Sequence, residues 1–129
     1  MTEAGLVLET TAVVAYAEGN FSVGMKIAEI ADRRLEIILP AVCLAEAYQQ
    51  TGKNNSSYLD LLAELGNVTV TPVEHDMCSV LGGWTRIMET MGTAQAAMEA
   101  AARPVVPIMT NRGEMIHEIL AREWPIIEL

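Results

Sequence analysis

The feature that most constrains this chain is a series of short apolar runs, each separated from the next by a stretch with helical spacing. Gly5-Leu6-Val7-Leu8, Ile37-Ile38-Leu39 and Val105 to Met109 are apolar throughout, Val68-Thr69-Val70-Thr71 is β-branched, and Ile126 to Leu129 closes the chain. A run that is apolar on every residue is buried on both faces, and strands alternating with helices pair in parallel. Right-handed crossovers then leave one architecture, a three-layer α/β/α sandwich around a mainly parallel sheet of about five strands. At 129 residues the chain is one domain, because two cores of half that length would each be marginal.

The intervening segments read as follows. Thr10 or Thr11 caps a helix running towards Glu18, which Gly19-Asn20 stops. Ser22 is the next expected N-cap, with Val23, Ile27, Ile30 and Ala31 on one face. Pro40 sits at a first helical position and opens a helix through Gln50 that ends near Gly52. Lys53 to Ser56 reads as a polar loop, and Ser56 or Ser57 as the cap of a helix carrying Leu59, Leu62 and Leu65. A helical region follows from about Asp76, and Gly92 separates it from an Ala-rich helix, Ala94 to Arg103. Pro107 removes a donor from the fourth strand, which suggests an edge or an irregularity. A last helix is expected from Arg112 to Arg122.

Composition narrows the function classes. With 51% hydrophobic residues the chain has ample core material and is not disordered. No apolar run reaches the roughly 20 residues of a membrane span, and Met1-Thr2-Glu3-Ala4 lacks the basic start of a signal peptide. The expectation is a soluble cytoplasmic protein without membrane contact. Eight Lys+Arg against 17 Asp+Glu give a net charge of −9, which disfavours generic binding to nucleic acid unless a cation or a basic partner reverses the local sign. Cys43 and Cys78 read as reduced thiols, and with no CxxC pair and His75 and His117 the only histidines, no Cys/His zinc site is expected. There is no GxGxxG or GxxxxGK[ST] phosphate loop, and His117-Glu118 is not HExxH because position 121 is Ala.

Ligands of an open parallel sheet lie beyond the carboxyl ends of its strands. That places attention on Glu9 and Thr10, on the helix after the second strand, and on Thr110-Asn111-Arg112. Two carboxylates there have apolar surroundings: Glu9, between Gly5-Leu6-Val7-Leu8 and Ala12-Val13-Val14, and Glu46, within Ala41 to Ala47. A half-buried carboxylate needs compensation by a backbone donor, an arginine or a metal. The plain alternatives are a helix N-cap for Glu9 and a solvated helix residue for Glu46.

These same residues carry a family resemblance. Leu6-Val7-Leu8-Glu9-Thr10-Thr11-Ala12-Val13-Val14 resembles the opening strand and helix of a PIN domain, and Ile38-Leu39-Pro40-Ala41-Val42-Cys43-Leu44-Ala45-Glu46 resembles its second block. Val105 to Asn111 resembles the late strand ending in Thr-x-Asp or Thr-x-Asn, and Trp124 to Leu129 the closing strand. The resemblance implies a metal-dependent ribonuclease, often a VapC-type toxin of a toxin–antitoxin pair. Three or four acids would hold Mg²⁺ or Mn²⁺, which activates a water and neutralises the scissile phosphate. It also implies a homodimer, an antitoxin partner and an RNA substrate.

Carried over residue by residue, the acidic set is incomplete. Glu9 stands at the first acid, one methylene longer than the usual Asp, and Glu46 matches the second. The third acid belongs within Gly92-Thr93-Ala94-Gln95, which has no carboxylate, so Gln95 is left as a neutral candidate ligand. At the fourth position Asn111 offers an oxygen, while Arg112 stands where an Asp often does. The candidate catalytic residues are therefore Glu9, Glu46 and Asn111, and the candidate metal ligands are these with Gln95. Glu89, Glu99 and Glu114 read as surface charges. Impaired or lost catalysis is expected. The alternatives are an inactive PIN-fold interaction module and a small-molecule binder on a generic α/β sheet, and a pairing of Arg112 with Glu9 or Glu46 favours the module.

Overall fold

A computed structural model describes residues 3–129. Five strands, β1 (Ala4–Leu8), β2 (Glu36–Pro40), β3 (Val68–Thr71), β4 (Ile108–Thr110) and β5 (Ile126–Glu128), form one sheet in the order β3-β2-β1-β4-β5. Every pairing is parallel. The connections are α1 (Thr10–Ala17) and α2 (Phe21–Asp32), α3 (Ala41–Gln50) and α4 (Lys53–Glu64), α5 (Cys78–Met88) and α6 (Met91–Ala101), and the short α7 (Gly113–Ile116). Strand order rises leftward from β1 to β3 and then jumps back to β4. Right-handed crossovers therefore put α1 to α4 on one face and α5 to α7 on the other. The packing follows this division with one exception: α1 lies against α2, α3 and α4, and α6 covers β1, β2 and β4 and touches α5 and α7, but α3 also packs on α6 where the two layers meet at the carboxyl edge.

The three layers follow from burial. Leu6, Val7 and Leu8 of β1, Ile37 and Leu39 of β2 and Ile108 of β4 are all 0% exposed. Each large aliphatic buried in this way contributes roughly 1.5–3 kcal/mol. The partner helices supply Val13, Val23, Ile30, Leu59, Leu62 and Ile116 to the same core. Aromatic residues divide between the layers. Tyr16, Tyr48 and Tyr58 lie on α1, α3 and α4, and Tyr48 donates a hydrogen bond to Asp60 across the α3–α4 pair. Trp84 lies on α5, and Trp124, ahead of β5, donates from Nε1 to the Val106 carbonyl at 2.9 Å.

Several boundaries differ from the sequence reading, each for a local reason. The cap of α1 is Glu9, whose carboxylate accepts from the Thr11 N–H, so Thr10 is already helical. Asn20, not Ser22, caps α2 by accepting from the Val23 N–H at 3.1 Å. Pro40 ends β2 rather than beginning α3. Lys53 to Ser56 is the first turn of α4, with Gly52 as N-cap, so the polar stretch is a solvated helix start. Gly82-Gly83 does not break α5, which ends at the left-handed Glu89 (φ 73°). Gly92 consequently lies inside the first turn of α6, behind the cap Thr90. Pro107 precedes β4, so an internal strand loses no ladder donor, and its carbonyl accepts from the Val7 N–H at 3.0 Å. The last helix is a single turn, because turns take over after Ile116. No helix among the described residues is long and apolar enough to cross a membrane.

Candidate functional site at the carboxyl edge of the sheet

Parallel register assembles the site. Leu8 pairs with Met109, so the next residues along, Glu9 and Thr110, emerge side by side. The Thr110 hydroxyl donates to Glu9 Oε1 at 2.7 Å. Oε1 also accepts from the Thr11 N–H at 3.0 Å and the Thr11 hydroxyl at 2.6 Å. On the other oxygen, Oε2 accepts from the Thr93 hydroxyl at 2.8 Å and from Arg112 Nη1 at 3.5 Å. Glu9 is 0% exposed, and five donors meet a carboxylate with about four lone-pair sites. It is saturated.

Glu46, half-buried on α3, is anchored to the same structure from the other side of the first turn of α6. Its Oε1 accepts from the Thr10 hydroxyl at 2.7 Å, and its Oε2 from the Gly92 N–H at 3.2 Å. That amide belongs to the positive end of the helix dipole. The contact depends on glycine. A Cβ at position 92 would lie 2.1 Å from Glu46 Oε1 and 2.3 Å from Thr10 Oγ1.

Arg112 seals the opening. Its Nη1 donates to Thr90 Oγ1 at 3.0 Å and Thr93 Oγ1 at 3.2 Å besides Glu9, and its backbone N–H donates to Thr110 Oγ1 at 2.8 Å. The pairing of Arg112 with Glu9 is thus present. Cys43 lies beneath, fully buried, and its thiol donates to the Gly92 carbonyl. Burial pushes that thiol far above the usual range, the nearby Glu9 and Glu46 carboxylates push the same way, and a hydrogen bond with Thr10 opposes them. A thiol reagent is therefore expected to modify the exposed Cys78 alone in the folded protein, and both cysteines once it is denatured. Equal labelling of both in the native state, read by mass spectrometry, would show that Cys43 is not enclosed.

The other candidates lie apart from this cluster. Gln95 is 0% exposed but bonded elsewhere: Oε1 accepts from the Val42 N–H at 2.8 Å, and Nε2 donates to the Thr71 carbonyl at 3.0 Å. Asn111 is exposed, and its backbone N–H donates to Thr11 Oγ1 at 2.9 Å. Glu99 is not the surface charge that the sequence suggested: it is buried, accepts from Gln95 Nε2 at 3.4 Å and pairs with Arg103 at 2.9 Å, while Glu114 pairs with Arg122 at 3.3 Å and Glu89 is the exposed cap of α5. A hollow of about 730 Å³ lies at the opposite end of the strands, bordered by Ala4, Glu36, Ile38 and Val105, and shares nothing with the acidic edge.

The residues present do not fit a divalent ion. Each carboxylate oxygen already has a protein donor, a guanidinium adjoins Glu9, and Gln95 turns its oxygen to a backbone amide. Among the described residues no group of three or more His, Cys, Asp or Glu is placed to hold a metal. Sequence reasoning weighed the acids and gave no role at the site to the hydroxyls of Thr11, Thr93 and Thr110, which donate to Glu9. The available signal was their position: Thr110 ends β4, and Thr11 and Thr93 lie in the first turns of α1 and α6.

Strand order and register define a parallel α/β sandwich with two carboxylates at its carboxyl edge. Among solved structures the chain is similar to VapBC2 from Rickettsia felis bound to a DNA fragment from their promoter, with a TM-score of 0.66 and 15% identity over 96% of this chain and 98% of that one. The fold is accordingly PIN-like, as the sequence resemblance implied. No protein-family model matches the sequence, and no curated protein matches it.

Proposed function

We propose that this chain is a PIN-like relative of the toxin ribonucleases of toxin–antitoxin pairs, in which the acidic centre serves the scaffold and the protein acts by binding a partner in the cytoplasm. The observation that carries this reading is the state of Glu9: a fully buried carboxylate whose lone pairs are all taken by threonine, backbone and arginine donors. A nuclease of the Mg²⁺- or Mn²⁺-dependent kind needs those lone pairs for the ion. Here Glu9, Glu46 and Asn111 have no RNA-cleaving role.

A protein partner is supported by the outer surface of α2 and α4. Phe21 and Met25 on α2 are 77% and 57% exposed, and Tyr58 and Leu61 stand at helical spacing on α4, with Leu61 58% exposed and the exposed Leu65 at the C-cap. Exposed apolar side chains that share one helix face, as Tyr58 and Leu61 do, mark interaction surfaces. The partners assigned are an antitoxin-type peptide, whose basic residues would meet a net charge of −9, and a second copy of the chain.

Calorimetric titration with Mn²⁺ tests the reading, comparing the parent with a Glu9→Gln/Glu46→Gln double variant alongside an RNA-cleavage assay. The expected outcome is no Mn²⁺ heat and no cleavage from either protein. Mn²⁺ binding by the parent that disappears in the double variant overturns the reading and restores the ribonuclease.

A further inference from the structure

We infer that the hollow at the amino-terminal end of the strands is a binding site for a small organic cation, an ammonium or amidinium group carried on an apolar body. The inference goes beyond the partner-binding role proposed above and does not depend on the state of the acidic edge.

Size and lining come first. The hollow holds about 730 Å³, inside the range of roughly 300–1,000 Å³ usual for small-molecule sites, which are mostly apolar with a few polar groups. Ile38 of β2, 1% exposed, forms its floor, with Ala4, Ala102 and Pro104 around it. Val105, 72% exposed, stands at the rim, where a bound apolar body would cover it.

Charge then selects the ligand. Glu99, on the wall formed by α6, is 8% exposed, and its carboxylate receives two donors, Arg103 Nη1 on Oε1 at 2.9 Å and Gln95 Nε2 on Oε2 at 3.4 Å. A carboxylate has about four lone-pair sites, so Glu99 keeps acceptor capacity beside the hollow, the reverse of the saturated Glu9. Arg103 is turned back on its own helix, where Nη1 also donates to the Glu99 carbonyl at 2.6 Å. Glu3 and Glu36 complete the polar lining, and among the described residues neither carboxylate has an ion-pair partner. Three carboxylates and one guanidinium leave the lining at −2, and the C-terminus of α6 brings the negative end of its dipole to the same wall. Among the described residues no three acids converge to hold a metal ion, so the charge fits a cation that carries its own apolar body. Across Glu3 a smaller hollow of about 250 Å³ is bordered by Lys26 and Arg33, where the sign reverses. The cationic group therefore belongs beside Glu36 and Glu99, away from that reversal, with the apolar body towards Val105.

The test uses three probes that share one apolar body, phenylbutylamine, phenylbutanol and phenylbutyrate, titrated against the parent and followed by the NMR shifts of backbone amides. The amine is expected to bind saturably, with shifts centred on Ala4, Glu36 and Arg103, and at least about tenfold tighter than the alcohol; the carboxylate is expected not to bind. Glu36→Gln is expected to weaken the amine about tenfold. Glu123→Gln removes the same charge from an exposed residue outside the hollow and is expected to leave the affinity unchanged. Glu36 makes no side-chain hydrogen bond or ion pair among the described residues, so its variant keeps the fold, which thermal unfolding checks. Equal affinity for amine and alcohol, equal weakening by the two variants, shifts centred elsewhere, or no binding of the amine each overturns the inference. None of these results alters the Mn²⁺ test, so the proposed function stands or falls separately.

Discussion

Glu9→Ala is expected to destabilise the protein by about 3–5 kcal/mol, the range for removing one partner of a buried, hydrogen-bonded ion pair. The loss has several contributions of one sign. The hydroxyls of Thr93 and Thr110 lose their acceptor inside a closed space, the Thr11 amide loses its cap, and Arg112 is left without its counter-charge. Glu46→Ala provides the comparison. Glu46 is only half-buried and receives two neutral donors, so its removal is expected to cost about 1–3 kcal/mol. Urea midpoints with unchanged m-values measure both. The sign is the sharpest readout. A carboxylate kept in place for catalysis commonly lowers stability, and its removal then raises the midpoint. If Glu9→Ala stabilises the fold, the saturated cluster is not a scaffold.

Gly92→Ala is expected to cost about 3 kcal/mol, although alanine is the better helix former by roughly 1 kcal/mol. The added methyl would need the space held by Glu46 Oε1 and Thr10 Oγ1, at 2.1 and 2.3 Å, and moving either opens the hydrogen bond between them. Gly24, in α2 with no atom within 4 Å of its Cβ position, is the internal control. There the same substitution is expected to stabilise by about 0.5–1 kcal/mol, through propensity and reduced freedom of the unfolded chain. Opposite signs at the two glycines identify contact with the Glu46 carboxylate as the cause. Equal effects would mean that Glu46 swings aside freely.

Much of this was legible in the sequence, to a depth set by the kind of signal. Leu6-Val7-Leu8 and Ile37-Ile38-Leu39 are apolar on consecutive residues, and that alone requires a sheet covered on both faces; the parallel order follows from the helices between them. Caps were less legible, since Glu9, Asn20 and Gly52 compete with nearby Ser and Thr residues that offer the same chemistry. The prominence of Glu9 and Glu46 was readable from their apolar neighbours. Of their partners, Arg112 was readable from its place after the fourth strand, whereas the Thr93 hydroxyl was not, because it lies 84 residues from Glu9 along the chain. Gly92 shows the same limit. In the sequence it resembles a helix breaker, and only the position of Glu46 across the space shows that it admits a carboxylate.

The division of aromatic residues between the layers makes the molecule its own two-colour probe. Tyr16, Tyr48 and Tyr58 lie on the side that carries Phe21 and Leu61, whereas Trp84 and Trp124 follow the opposite layer and the last strand. Energy passed from these tyrosines to the tryptophans falls steeply with distance, so it reports whether the two layers stay together. Tryptophan excited alone responds to slackening around α5 and the final strand. A partner settling on the outer helices leaves the transfer in place, whereas a fold coming loose loses it.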